Sequence, residues 1–322
     1  MAHLLDYVRG EHAVAYVGDA WHGLGTKIDA PVSAAEMVRL ARIDWAVSLQ
    51  PVLLGSEPLP DHRAVCRSDR AGVAGVLGVV GKDYSPIQNE QCFSFADKIV
   101  GESQAIWHTA GAVRDGKDVW ALCKLPGTLE IVPGDCVDKY LLFTNNHEGY
   151  RTARVRFTPI RVVCNNTLSA ALGQGGTTAK VYHSGDLTRG FKNAADLLGI
   201  ATKAFEDTHE VFTALAKKQL NKEEMAAYWN SVFPDPESGS LNGKTRARNM
   251  RGLLEQLYES GEGSDIPGVR GTAWGAYNSV TEYVDHLRLS GKPAENRLYS
   301  SWFSTGENLR GRALELAVAL VA

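Results

Sequence analysis

Apolar and polar residues alternate with a period of two through much of the first half of the chain, and with a helical period through most of the second. Trp45–Leu54 alternates and reads as a strand. Arg63–Arg67 reads as another, with Ser68–Gly72 as the turn into a third at Val73–Val80. Ile106–Val113 and Val119–Lys124 follow, joined by Arg114–Lys117, whose Asp115-Gly116 pair favours a tight turn. Tyr140–Asn145 and Arg154–Val163 are separated by Asn146–Gly149, and Val181–His183 is a last short strand. Three helices interrupt this half. Ala34–Ala41 is introduced by Ser33 and Glu36 at capping-box spacing, and Glu90–Val100 repeats Phe93, Ala96 and Val100 on one face. Thr167–Leu172 is the third, followed by a Gly173–Gly176 loop.

From Leu187 the helical period dominates: Leu187–Leu220, Lys222–Val232, Arg246–Glu259, Trp274–Leu287 and Asn308–Leu320. Breaks fall at Pro234-Asp-Pro236, at Gly261–Gly263 and at Gly291-Lys-Pro293. The class is therefore α+β. A mainly antiparallel sheet with packed helices is expected over residues 1–186, and a helical region over 187–322. Glycines at 72, 75, 78 and 81 fit neither a lysine-bearing phosphate loop nor a dinucleotide fingerprint; they imply a strand with close backbone packing. Trp107 and Trp120 sit among apolar neighbours and are expected in the core.

Composition narrows the classes. The 322 residues are 44% hydrophobic and 22% charged, ordinary for a globular chain. The formal net charge of −3 excludes a basic coat, so any nucleic-acid contact must be a local patch. The five cysteines are scattered and form no CxxC pair, which favours reduced thiols in a cytoplasm. The first residues lack the basic and apolar regions of a secretory signal, and no apolar run is long enough to span a membrane.

One segment stands out against the mild acidity. Arg151, Arg154, Arg156 and Arg161 fall within eleven residues that contain no acid. On a strand Arg154 and Arg156 share a face, about 6.6 Å apart, while Val155 and Phe157 point the other way. Guanidinium forks suit phosphate. Pro159 implies an edge strand or a bulge. Lys82 with Tyr84, and Tyr150 beside Arg151, add a cation and two stacking candidates in turn-like sequence. Arg248 and Arg251 share a helix face near an expected helix start, where a phosphate would offset the dipole. In each case the plainer alternative is a solvated or ion-paired surface. No His, Cys or carboxylate spacing indicates a metal, and no cofactor or catalytic residue is assigned. A Cys164–His147 nucleophile is conceivable, although Cys164 follows Val162-Val163 and reads as core.

Several motifs together resemble the phage- and plasmid-borne family DUF932, a domain of unknown function. They are Trp21-His-Gly-Leu-Gly25, Gly78–Asn89, Val119–Pro126, Lys139–Phe143 with Asn146-His147, Arg154–Leu168 and Thr272–Tyr283. The resemblance implies a mobile-element context in a bacterial host cytoplasm, without naming an activity. At the level of architecture the chain is also similar to phage single-strand annealing proteins of the RecT, Redβ and Erf type, although none of their motifs is present. The expectation is a nucleic-acid-binding protein rather than an enzyme. It would favour single-stranded DNA, form a homo-oligomer and make no membrane contact. An enzyme acting on a phosphorylated or nucleic-acid substrate, and a protein-interaction factor countering host defence, remain open as alternatives.

Overall fold

Thirteen strands and seven α-helices account for most of the computed structural model, which describes residues 7–8, 11–17, 26–93, 105–164, 166–169, 178–181, 194–237, 241–292 and 294–322. The strands are β1 (Tyr7–Val8), β2 (Glu11–His12), β3 (Val14–Val17), β4 (Thr26–Ile28), β5 (Val47–Leu54), β6 (Glu57–Arg67) and β7 (Val76–Gly81). They continue as β8 (Ile106–Val113), β9 (Asp118–Val132), β10 (Asp135–Asn146), β11 (Ala153–Arg161), β12 (Asn166–Thr167) and β13 (Thr178–Val181). The helices are α1 (Ala34–Leu40), α2 (Ala194–Lys217), α3 (Lys222–Val232), α4 (Leu241–Ser260), α5 (Ala273–Glu282), α6 (Ala294–Phe303) and α7 (Thr305–Val318). The chain is α+β.

Among the described residues β1 and β2 pair with each other, and two further sheets carry the rest of the strand-rich half. The larger runs β12-β11-β10-β9-β8-β3-β4, with β13 also paired to β11; the smaller is the antiparallel set β5-β6-β7. The β8–β9 turn takes left-handed backbone at Arg114, Asp115 and Gly116, so the Asp115-Gly116 signal is used. At α1 the Ser33 hydroxyl accepts from Glu36 N–H, as the capping spacing predicts, while the Glu36 carboxylate turns to Arg39 instead of completing the box.

Some expectations change. Thr167 belongs to β12 and not to a helix: its N–H is taken by the buried Asp285 carboxylate at 2.6 Å, and with Asn166 it pairs with the end of β11. Such a tertiary bond has no local signature. β11 is not an outer strand, because β10 flanks it, β13 pairs with Ala153–Arg156 and β12 with Ile160–Arg161. Pro159 falls between those two paired stretches; its carbonyl accepts from Leu168 N–H, and its missing N–H is where the β11–β12 ladder stops. Helix α6 was not expected; its buried Leu298 and Trp302 are four apart, and Tyr299 and Phe303 stack at the same spacing. The Trp274–Leu287 helix is α5 continued by a π turn at Tyr283–Leu287. The Trp21–Gly25 turn, the part of the Glu90–Val100 helix after Phe93, the Gly173–Gly176 loop and the segment before Ala194 lie outside the described residues.

The described residues form two compact units that interleave in sequence. The first takes those within Met1–Pro126, Tyr140–Phe157 and Thr177–Ala201; the second takes those within Gly127–Lys139, Thr158–Gly176 and Thr202–Ala322. Trp107 centres the first core, with Phe93 and Phe143 rings 6.2 and 5.4 Å away, and Trp120 is buried in the same unit. Phe212, Trp274 and Tyr277 centre the second, joined by Ile131, Val137 and Leu168 from its strand segments.

Candidate functional site

The turn between β10 and β11, with Asn146 closing the strand and residues to Thr152 beyond it, is heavily braced. Asn146 donates to the buried Asp118 carboxylate at 2.8 Å, and its own Oδ1 accepts from Glu148 N–H. His147 N–H donates to the Lys117 carbonyl at 2.8 Å, which ties the loop to the β8–β9 turn. The His147 ring is fully buried, bonds Asn89 Oδ1 through Nε2 at 2.8 Å and meets Trp45 edge-on. Asn89 spends its amide on the Ile43 carbonyl, so its Oδ1 is left to accept from the imidazole. Backbone proximity supplies the rest of the seat. A Cβ on Gly78 of β7 would stand 2.8 Å from Glu148 Cα, and one on Gly149 would stand 2.7 Å from Val80 Cγ1.

Five charges surround this seat. Arg114 bonds Asp118 at 2.8 Å and Glu148 at 2.7 Å, Lys117 reaches Glu148 at 3.2 Å, and Arg151 reaches Asp118 at 3.4 Å. Burial alone would raise the Glu148 carboxyl pKa, but bonds to Arg114 and Lys117 hold it below its ordinary value. Sequence reading missed Asp118, Glu148, Arg114 and Lys117 as a group, because alternating signs in two turns look like ordinary surface. The one local hint was Asn146-His147, two polar residues closing an apolar strand.

Beyond the seat the loop presents Tyr150, 83% exposed, followed by half-buried Arg151. Along β11 Arg154 is exposed and Arg156 half-buried, while Val155 and Phe157 are buried, so the expected division of faces holds. Arg154 lies opposite Lys180 in the β13 register, and Arg156 opposite Thr178. Tyr150, Arg151, Arg154 and Arg156 thus belong to one loop-and-strand segment of one unit.

The other residues singled out from sequence are used differently. Arg161 belongs to the second unit and is 1% exposed. Its Nε and Nη2 each bond one oxygen of the buried Asp135 carboxylate at 2.8 Å; Nη2 also bonds the Gly263 carbonyl and Nη1 the Glu262 carbonyl, both at 3.1 Å. Burial works against this charge, and Asp135 outweighs it to raise the pKa. A guanidinium committed in this way is structural and is removed from the anion-binding set. Arg251 likewise caps the end of α3, bonding the Phe233 carbonyl and Asp235. Arg248 is exposed, but α4 already starts at Leu241, so Arg248 lies beyond the first turn, where the dipole acts. Lys82 is exposed and paired with Asp61 at 3.0 Å. Tyr84 is half-buried with its hydroxyl 3.5 Å from the Asn146 carbonyl, where it braces the loop, and burial raises its phenol pKa.

Cys164 and His147 fall in different units with separate partners. Cys164 is buried beside Arg161, and desolvation pushes its thiol up to about 12 despite that neighbour, which keeps it protonated and unreactive. Among the described residues no group of three His, Cys, Asp or Glu could hold a metal ion, and no helix is long and apolar enough to cross a membrane.

The family model of the domain of unknown function DUF932 matches residues 76–302. No curated protein and no solved structure matches the chain. The matched span includes the braced loop and the arginine strand.

Proposed function

The chain belongs to the DUF932 family, and from that premise we propose that it binds nucleic acid, holding single-stranded DNA along the Tyr150–Arg156 segment. The observation that carries this reading is an 83% exposed Tyr150 on a rigidly seated loop, flanked by Arg151, Arg154 and Arg156. An exposed aromatic ring costs solvation free energy that a stacked base recovers, and any base has the required π face. Arg154 and Arg156, about 6.6 Å apart by strand rise, match successive phosphates of an extended strand. Seating the loop before binding reduces the ordering cost. No cofactor enters this mechanism. The reading also carries the expectation of a homo-oligomer, to be measured by light scattering.

Fluorescence anisotropy with a labelled oligothymidine, titrated from about 50 to 300 mM salt, tests the proposal. The logarithm of affinity should fall linearly with the logarithm of salt. Arg154→Ala with Arg156→Ala should reduce the slope by about 1.4, the value for two phosphate contacts on a single strand. Tyr150→Ala should weaken binding about tenfold with the slope unchanged, since stacking releases no counterions. Absence of binding, or binding indifferent to salt, would defeat the proposal.

A further inference from the structure

Two carboxylates share their cations at the loop seat. Arg114 bonds both Asp118 and Glu148, Lys117 bonds Glu148, and Arg151 bonds Asp118. Asp118 is the constrained member, with only 2% of its side chain exposed, and a buried carboxylate stripped of its partners is strongly destabilising. Its two oxygens are served unequally. Oδ2 takes Arg114 at 2.8 Å; Oδ1 takes Asn146 at 2.8 Å and Arg151 at the longer 3.4 Å. If Arg151 withdrew, Asp118 would keep one close guanidinium and one amide. Arg114 could not withdraw without also breaking its 2.7 Å bond to Glu148 and leaving that carboxylate to Lys117 at 3.2 Å. Arg151 is also 31% exposed and follows Tyr150 directly in the chain.

We infer that Arg151 is an exchangeable cation, held by Asp118 in the free protein and passed to a nucleic-acid phosphate on binding, with Arg114 compensating Asp118 after the transfer. Asp118 and Arg114 are then positioning residues for the phosphate contact. This rests on the nucleic-acid reading above and adds the identity of the residue that changes partner. The exchange makes Arg151 weaker than an unpaired arginine would be, because each phosphate contact is made at the expense of an existing ion pair. It also keeps both oxygens of the buried Asp118 carboxylate bonded in the absence of ligand.

A double-mutant cycle in the full chain, read by oligothymidine anisotropy at fixed salt, decides the matter. Asp118→Asn preserves shape and removes the competing charge. It should bind about threefold or more tighter than wild type, and Arg151→Ala should cost several-fold more in that background than in wild type. If Asp118→Asn does not fold, Arg114→Gln serves, since it lies at the partly exposed side of the cluster. There Asp118 must retain Arg151, so affinity should drop about as far as in Arg151→Ala, and adding Arg151→Ala should cost little more. An Arg151→Ala cost that is the same in every background overturns the exchange while leaving salt-dependent binding by the wild type intact. Failure of the wild type to bind defeats the nucleic-acid reading itself, a separable result.

Discussion

Arginine is legible in a sequence as a charge, but its use is decided by what lies across the fold. Arg154 and Arg156 followed from strand alternation alone, because the period of two fixes which side chains share a face. Arg161, on the same strand, was expected at the flank of that anion-binding face and is instead enclosed by Asp135, twenty-six residues earlier, and by carbonyls about a hundred residues later. Nothing local announces partners at such separations. Arg161→Ala should therefore act on stability: removing one member of a buried bidentate pair is expected to cost about 3–5 kcal/mol in urea unfolding. The salt slope of oligonucleotide binding by the remaining folded protein should be unchanged. A loss below about 1 kcal/mol would return Arg161 to the list of candidate ligands. Glu282 gives a second residue-scale test. Burial raises its carboxyl pKa, even though Glu262 N–H and His286 oppose the shift. An acid whose folded pKa is raised contributes stability below its ordinary pKa and loses it as pH climbs through the folded value. Glu282→Gln should accordingly raise Tm by about 1–3 °C at pH 7 and converge with wild type near pH 4. A lower Tm at pH 7 would mean that the ionised carboxylate is needed.

Elements were read more reliably than their partners. The β8–β9 turn and the Ser33 cap of α1 have short-range causes and appear as expected, as do most of the period-two strands, although the one expected from Val73 starts at Val76. The glycine run at 72, 75, 78 and 81 shows where that legibility ends. Close packing was the expectation, and a Cβ at Gly75 would strike the Arg70 carbonyl while one at Gly78 would strike Glu148, yet Gly81 is open. Spacing alone could not tell these apart. The difference supplies a controlled experiment on β7. Gly78→Ala should destabilise by about 1–3 kcal/mol, since the obstructing atoms are backbone and cannot rotate away. It should also lower oligonucleotide affinity under conditions where the variant is fully folded, because Tyr150 and Arg151 follow the displaced Glu148-Gly149. Gly81→Ala, in the same strand with free space, should leave both quantities unchanged within about 0.5 kcal/mol. Equal effects from the two substitutions would show that the loop is not seated through Gly78.

At the scale of the molecule, the change of hydrophobic period near residue 187 marks a change of element type, which differs from a boundary of compactness. Long strands such as β9 and β10 contribute to both units, so Gly127–Lys139 and Thr158–Gly176 group with residues from Thr202 onward. The second core needs them. Ile131, Val137 and Leu168 belong to the cluster around Phe212, Trp274 and Tyr277, and Asp135 accepts the Trp274 indole N–H at 2.8 Å. A fragment of residues 187–322 would therefore keep helix-forming sequence but lose apolar packing and leave a buried indole donor unpaired. Such a chain should retain far-UV helical ellipticity, lose near-UV signal and NMR dispersion, and bind hydrophobic dye, the behaviour of a collapsed state without fixed packing. Intact residues 1–322 should show neither dye binding nor loss of dispersion. A cooperative thermal transition with a dispersed spectrum from the fragment would mean that the helices form a complete core by themselves. The strand segments would then be attached to the second unit without being required by it.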